Sequence, residues 1–406
     1  MNEVRKRQQA ADDFYRVNDA LQAYTRETGR EPLLTGGWEV EDPAIGPPAG
    51  LVERLWHIAP QPGRYAYGKE FHQAKARAAE VLQAGVRLAG RPMCAEQVAV
   101  LQNSSQGLLL ALTALRERGA RQVVIAAPTY YATVAVCQHL GLEITLLPAA
   151  DYLTGALDMP RLARALKRGQ SILILINPAY SIGVEYPRQQ VQALCALAGE
   201  QGAWVLLDET RLGLHWQADR PWYAGEFSER TLILRSPSKI FLLNGMKTSF
   251  LLGPAAVIHQ IERLSEALVG STVGNAQSIA LAYLDAWHAW LREVQQGQRG
   301  AMRAWKQSVV ARLQHNRDLV GAALEELGFS LSPVDSGPYL LAGIPRKHLP
   351  ALDSVTIAQA YGVLLLTSNY FYHWNNEWWG FRVNLCGDAR RSTQALMRVL
   401  SGKLCC

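Results

Sequence analysis

The chain has 406 residues, 49% of them hydrophobic, enough to bury a large core and build two or more structural domains. No apolar run reaches the roughly 20 residues that span a bilayer, and residues 1–30 are charged rather than signal-like, so a cytoplasmic protein without a membrane partner is expected. The net charge of +6 is scattered over helical faces with acids between the bases, which argues against a nucleic-acid partner and leaves a modest bias toward small anions. The six cysteines keep no ligand spacing with histidines, so reduced thiols and no metal site are expected.

Residues 1–28 have the pattern of an amphipathic helix stopped at Gly29, followed by a Gly/Pro-rich arm from Thr35-Gly36-Gly37-Trp38 to Gly46-Pro47-Pro48. From about residue 70, helices over 70–84, 105–117, 131–139, 160–168 and 187–201 alternate with strands over 97–102, 122–127, 143–147, 171–176 and 203–208. Two more strands follow at 230–235 and 248–252. Short Val/Ile/Leu runs between helical patterns predict an α/β fold with a mostly parallel sheet covered on both faces. A helical region over 255–326, interrupted near 295–300, leads to strands at 338–343, 363–367 and 381–386 and a helix over 388–401, which make a smaller α+β C-terminal domain. The expected division is an N-terminal helix and arm (1–50), a large domain (51–300) and a small domain (301–406).

In open parallel sheets, ligands bind beyond the carboxyl ends of the strands, and the residues with chemistry fall there. Lys239, in Ser236-Pro237-Ser238-Lys239, follows the apolar run Thr231-Leu232-Ile233-Leu234. A lysine desolvated in this way becomes a nucleophile suited to a Schiff base with an aldehyde. Asp208 closes the run Ala203-Trp204-Val205-Leu206-Leu207, and Arg382 lies within Phe381-Arg382-Val383-Asn384-Leu385. Charges in such settings require partners. Asn103, Ser104 and Ser105 follow a strand and open a helix, which makes a phosphate cradle, while Thr129 and Tyr130 follow Pro128 at the next strand end. Glu209, one residue past Asp208, points the other way on a strand and is left out of the site.

The order of these motifs resembles fold-type I pyridoxal-phosphate enzymes of the class I/II aminotransferase branch, over about residues 36–398. The resemblance implies that pyridoxal 5'-phosphate forms its Schiff base with Lys239 of an S-x-x-K motif begun by Ser236, and that Lys247, Ser104 and Ser105 hold its phosphate. It places Asp208, from a D-E-x-Y motif, on the pyridine nitrogen, Tyr130 against the ring, and Asn177 beside the phenolic oxygen. Gly37 and Arg382 then contact the substrate, with Arg382 on its α-carboxylate. The freed Lys239 amine serves as general base. The resemblance also implies a homodimer with shared active sites, in which Tyr65 or Tyr67 of Arg64-Tyr65-Ala66-Tyr67-Gly68, and the stretch Ser271-Thr272-Val273-Gly274-Asn275, reach the partner's cofactor.

Three departures accompany the match. Arg211 stands where D-E-x-Y has tyrosine, Asn177-Pro178-Ala179-Tyr180-Ser181-Ile182-Gly183 replaces N-N-P-T-G and leaves Tyr180 as an alternative to Asn177, and Lys247 replaces an arginine fork by a point charge. The expected function is an aminotransferase acting on an L-α-amino acid. The alternative is another pyridoxal-phosphate reaction of specialised metabolism: oxidation, cyclisation, or β/γ elimination or substitution. The segment Tyr370-Phe371-Tyr372-His373-Trp374 is similar to an F-H-W stretch of pyridoxal-phosphate-dependent arginine oxidases, although the aromatic residues near the C-terminus are expected mainly to pack the small domain. With about thirty residues ahead of the arm, a pyridoxal-phosphate-sensing transcription factor with a preceding helix-turn-helix domain is not expected.

Overall fold

The computed structural model describes residues 3–59, 63, 71–82, 86–88, 90–217, 225–270, 275–295, 298–348, 353–373 and 377–401. Its main sheet has seven strands in the order Val98–Leu101, Ser249–Leu252, Thr231–Arg235, Trp204–Asp208, Ser171–Ile176, Gln122–Ala126 and Glu143–Leu147. Ser249–Leu252 is antiparallel to both neighbours, and the remaining pairs are parallel. All residues of the middle strands are buried, because helices cover both faces of the sheet. The two-residue period splits each strand between two apolar layers. Ile172, Ile174, Leu206 and Leu232 pack on one side, and Leu173, Leu175, Val205, Leu207 and Ile233 on the other.

The C-terminal region forms a four-stranded antiparallel sheet in the order Ser330–Leu331, Tyr339–Pro345, Trp378–Asn384, Leu366–Thr367. The N-terminal segment is built into this sheet's surroundings. Helix Glu3–Thr28 packs on helix Ser354–Tyr361, Leu33 bridges Val363, and Gly36 N donates to Leu364 O at 2.9 Å. A Cβ on Gly36 would lie 2.9 Å from Leu366 N, so only glycine lets the arm approach this closely. The arm thereby lays Trp38 against the strand that carries Arg382.

The helical region has a second break that periodicity does not announce. Helix Ala255–Leu268 ends with Gly270 at φ +80°, a left-handed conformation that glycine adopts without strain, before helix Ala276–Gln295 begins. Val363, read as part of a strand, instead makes an isolated bridge to Leu33, which the chain's own pattern cannot reveal. Helices Ala49–Trp56 and Ser354–Tyr361 also escape the sequence pattern, each being only eight residues long. Among the described residues no helix is long and apolar enough to cross a membrane.

Candidate active site

The carboxyl ends of the parallel strands open into a cavity of about 320 Å³, a size common for small-molecule sites. Strand Thr231–Arg235 delivers the chain to Ser236, which caps a one-turn helix Pro237–Ile240 with proline at its first position. Ser236 Oγ donates to Thr248 O at 2.9 Å and pairs with Ser238 Oγ at 3.0 Å, fixing the turn that projects Lys239 into the cavity. Lys239 Nζ donates to Thr210 Oγ1 at 3.1 Å and to Ser104 Oγ at 3.2 Å. Burial, and then the Arg211 cation, outweigh Asp208 and lower the amine to about 8.

Asp208 lies at its strand end with 8% of its surface exposed, lines the cavity, and accepts from Thr210 N at 3.0 Å. Glu209 turns to the other face, as strand alternation requires. There its Oε2 accepts from Arg235 Nε at 2.9 Å and Nη2 at 2.6 Å, with both side chains sealed from solvent. One carboxylate therefore faces the cavity and its neighbour forms a buried ion pair.

Helix Ser104–Glu117 points its N-terminus at the cavity, with Asn103 Oδ1 accepting from Gln106 N at 2.9 Å as its cap. Ser104 and Ser105 occupy the first turn, and Lys247 reaches the cavity from an exposed rim position. Tyr130 presents its ring, packed 4.6 Å from Tyr131 and 5.7 Å from Tyr180. Phe14 of the N-terminal helix stacks on Tyr131 at 5.2 Å and meets Trp38 edge-on at 5.7 Å. Asn177 is buried beside the cavity residue Ile176. Its Oδ1 accepts from Tyr186 N at 2.9 Å, while its Nδ2 has no acceptor among the described residues.

Arg382 is 1% exposed on strand Trp378–Asn384 of the small sheet. Its Nε donates to Gly36 O at 2.8 Å and its Nη1 to Ser181 Oγ at 3.0 Å, but Nη2 has no partner among the described residues. The guanidinium lies 4.6 Å from the ring centre of Trp38 and 4.4 Å from that of Tyr339. Neither Gly37 nor Arg382 lines the cavity. Trp38, which covers the Arg382 guanidinium, does, held by Asn244 Nδ2 donating to Trp38 O at 2.8 Å.

Tyr370, Phe371 and Tyr372 are buried and do not line the cavity, although the Phe371 ring meets that of the cavity residue Tyr180 edge-on at 6.4 Å, and His373 stacks on Tyr152 at 4.4 Å with its imidazole lowered to about 4 by burial. Trp374, Tyr65, Tyr67 and residues 271–274 lie outside the described residues. Phe14, Thr210, Asn244 and Tyr339 are the site neighbours that motifs miss. Of these only Thr210 carried a signal, being two residues past Asp208 and so on its side of the strand.

Residues 61–399 match the family described as aminotransferase class I and II. The chain belongs to that family. It is 24% identical to an aspartate aminotransferase of Streptomyces avermitilis over 65% of this chain, and 25% identical to an arginine–pyruvate transaminase of Pseudomonas aeruginosa over 64%. The matched stretches span 64% and 65% of those relatives' own lengths. In fold, it resembles the aspartate aminotransferase of Thermus thermophilus with maleate at a TM-score of 0.72 and 19% identity, covering 96% of each chain. It also resembles an aspartate aminotransferase from Rhodobacter sphaeroides at a TM-score of 0.72 and 21% identity, covering 92% and 93%.

Enzymes of this family use pyridoxal 5'-phosphate. The side chains here fit that group. An amine near 8 faces the cavity with a carboxylate, a helix N-terminus and a lysine stand at its rim, and Asn177 Nδ2 is a buried donor without an acceptor among the described residues.

Proposed function

We propose that this protein transfers the amino group of an L-α-amino acid, using pyridoxal 5'-phosphate carried on Lys239. The observation that carries the proposal is one cavity holding a depressed lysine amine and a buried carboxylate at adjacent strand ends. When bound, the cofactor supplies an electron-withdrawing ring that weakens bonds at the substrate's α-carbon. Asp208 contributes a fixed negative charge that favours a proton on the ring nitrogen. Ser104, Ser105, the helix N-terminus and Lys247 offer donors and positive charge to the phosphate, and Ser236 holds the turn that aims Lys239. Tyr130 provides an aromatic wall, and Asn177 Nδ2 a donor for the phenolic oxygen.

One fork nitrogen of Arg382 has no acceptor among the described residues, and a substrate carboxylate supplies one. Trp38, set in place by Gly36 and Gly37, covers the guanidinium. The Lys239 amine then takes and returns the α-proton, a role matched by a value near neutral pH. The test is to incubate the protein anaerobically with a panel of amino acids. A 2-oxo acid must appear as the visible absorption of the cofactor is lost, and a second 2-oxo acid must restore it. The second reading, oxidation, cyclisation, elimination or substitution, is favoured by Arg211 in the cavity where the family has tyrosine. Oxygen uptake or ammonia release without that restoration supports it instead.

A homodimer with shared sites belongs to the same proposal. Trp56, Met246, Leu268 and Val269 are large apolar side chains left exposed on one chain, with Trp56 82% exposed. Co-refolding Lys239→Ala with a Tyr65→Phe, Tyr67→Phe variant then restores part of the activity. An active monomer, or no recovery, excludes shared sites.

A further inference from the structure

We propose that Arg211 holds the phenolic oxygen of pyridoxal phosphate as a phenolate, and that the ring of Tyr339 sets its guanidinium in place. This rests on the proposal that Lys239 carries the cofactor. In pyridoxal phosphate the phenolic oxygen is on the ring carbon next to the one bearing the aldehyde. A cation whose field reaches Lys239 Nζ, as that of Arg211 does, therefore acts on that oxygen as well. Thr210 Oγ1 is 3.1 Å from Nζ, and Arg211 is the next residue along the chain and lines the same cavity.

The Arg211 guanidinium lies 4.6 Å from the ring centre of Tyr339, and Arg382 lies 4.4 Å from the same ring. One aromatic ring thus orients two forks, one toward the cofactor end and one toward the substrate carboxylate. The charged and titratable groups around Arg211 are Asp208, Lys239 and Lys247 from the large sheet's side, Tyr180 from the loop after Ser171–Ile176, and Tyr339, Arg382 and Cys386 from the small sheet's side.

Among the described cavity residues, Asp208 is the one carboxylate against the cations Arg211, Lys239 and Lys247. Such a cavity favours anionic groups on what it binds, and Asn177 Nδ2, unpartnered among the described residues, is a second donor for the same oxygen. A tyrosine would give the phenolate one neutral hydrogen bond. A guanidinium gives a full charge, which favours the phenolate and disfavours a proton on the cofactor–lysine linkage. The depressed Lys239 amine, for which Arg211 is the largest cause after burial, agrees with this field.

The experiment follows the visible absorption of the holoprotein as a function of pH. Arg211→Met moves the midpoint for protonation of the cofactor–lysine linkage upward by about 1–3 pH units, or brings a previously inaccessible transition into range. Arg211→Tyr moves it by less, and Arg211→Lys, which keeps a point charge, by least. Tyr339→Leu gives a smaller upward shift, and Tyr339→Phe, which keeps the ring, stays near the wild type. An unmoved midpoint in Arg211→Met with cofactor still bound overturns the proposal. So does an unmoved midpoint with weakened amino-acid binding, which would make Arg211 a substrate contact. If Arg211→Met does not hold cofactor, unmoved midpoints in both Arg211→Tyr and Tyr339→Leu overturn it equally. A wild-type protein with no borohydride-reducible link at Lys239 would instead sink the functional proposal beneath it.

Discussion

Two buried arginines sit on strands of the two sheets and are held in opposite ways. Arg235, in the large sheet, commits its fork to Glu209 at 2.6 and 2.9 Å behind a wall of apolar residues. Arg382, in the small sheet, meets neutral oxygens of Gly36 and Ser181, lies against two aromatic rings, and has no partner for Nη2 among the described residues. Burial alone does not distinguish a structural charge from a functional one. What distinguishes them is whether the partner that compensates the charge is already in the chain. The consecutive acids Asp208 and Glu209 repeat the contrast, one facing the cavity and one closing the ion pair.

Lys239→Ala tests the cavity side most severely. Turnover falls by about 10⁴-fold, the upper range for an acid–base group, and borohydride reduction no longer links cofactor to protein. An adduct mapped to a different lysine would falsify the assignment. On the structural side, Glu209→Ala strands Arg235 without its carboxylate and costs about 3–5 kcal/mol in urea unfolding, whereas replacing both partners with apolar residues of similar volume recovers most of the stability. If Glu209→Ala leaves stability intact but cuts turnover, the division between the two arginines is wrong.

Asp208→Asn keeps the cofactor bound and slows turnover by about 10²–10³-fold, the scale on which removing one preorganised electrostatic group slows an active site. Unchanged turnover would remove Asp208 from the chemistry. Arg382→Lys gives up the fork and weakens amino-acid binding by about 10–100-fold with cofactor affinity nearly intact, as titrations of each ligand would report. Equal weakening of both would make Arg382 a structural residue like Arg235. The smallest effect is in pH. Because a protonated ammonium cannot attack the aldehyde, capture of cofactor by the apoprotein rises with pH through a midpoint of about 8, and a midpoint near the ordinary lysine value of about 10.4 would show that Lys239 is not desolvated.

The sheet and the residues at its strand ends were legible in the sequence because each depends on local chemistry. Runs such as Ser171–Ile176 declare a strand buried on both faces, and Asp208, Ser104 and Lys239 stand where such strands end. Alternation along the strand even placed Glu209 on the face away from Asp208. Phe14, Trp38 and Tyr339 were not legible as neighbours of the site. They come from an N-terminal helix, an arm and a strand of the small sheet, and nothing in their own segments says which surface they will meet.

The sequence by itself determined the α/β core, the order of its strand ends and the lysine, aspartate and arginine that the site proposal uses. It did so through apolar periodicity and through charges that an apolar run cannot carry without a purpose. Only the tertiary structure decided which charges were already paired. The Glu209–Arg235 partnership spans 26 positions, and the Gly36 contact that orients Arg382 spans 346. Whether an Nη2 or an Nδ2 is left open for a ligand depends on such long-range pairings, which packing sets and local sequence does not encode.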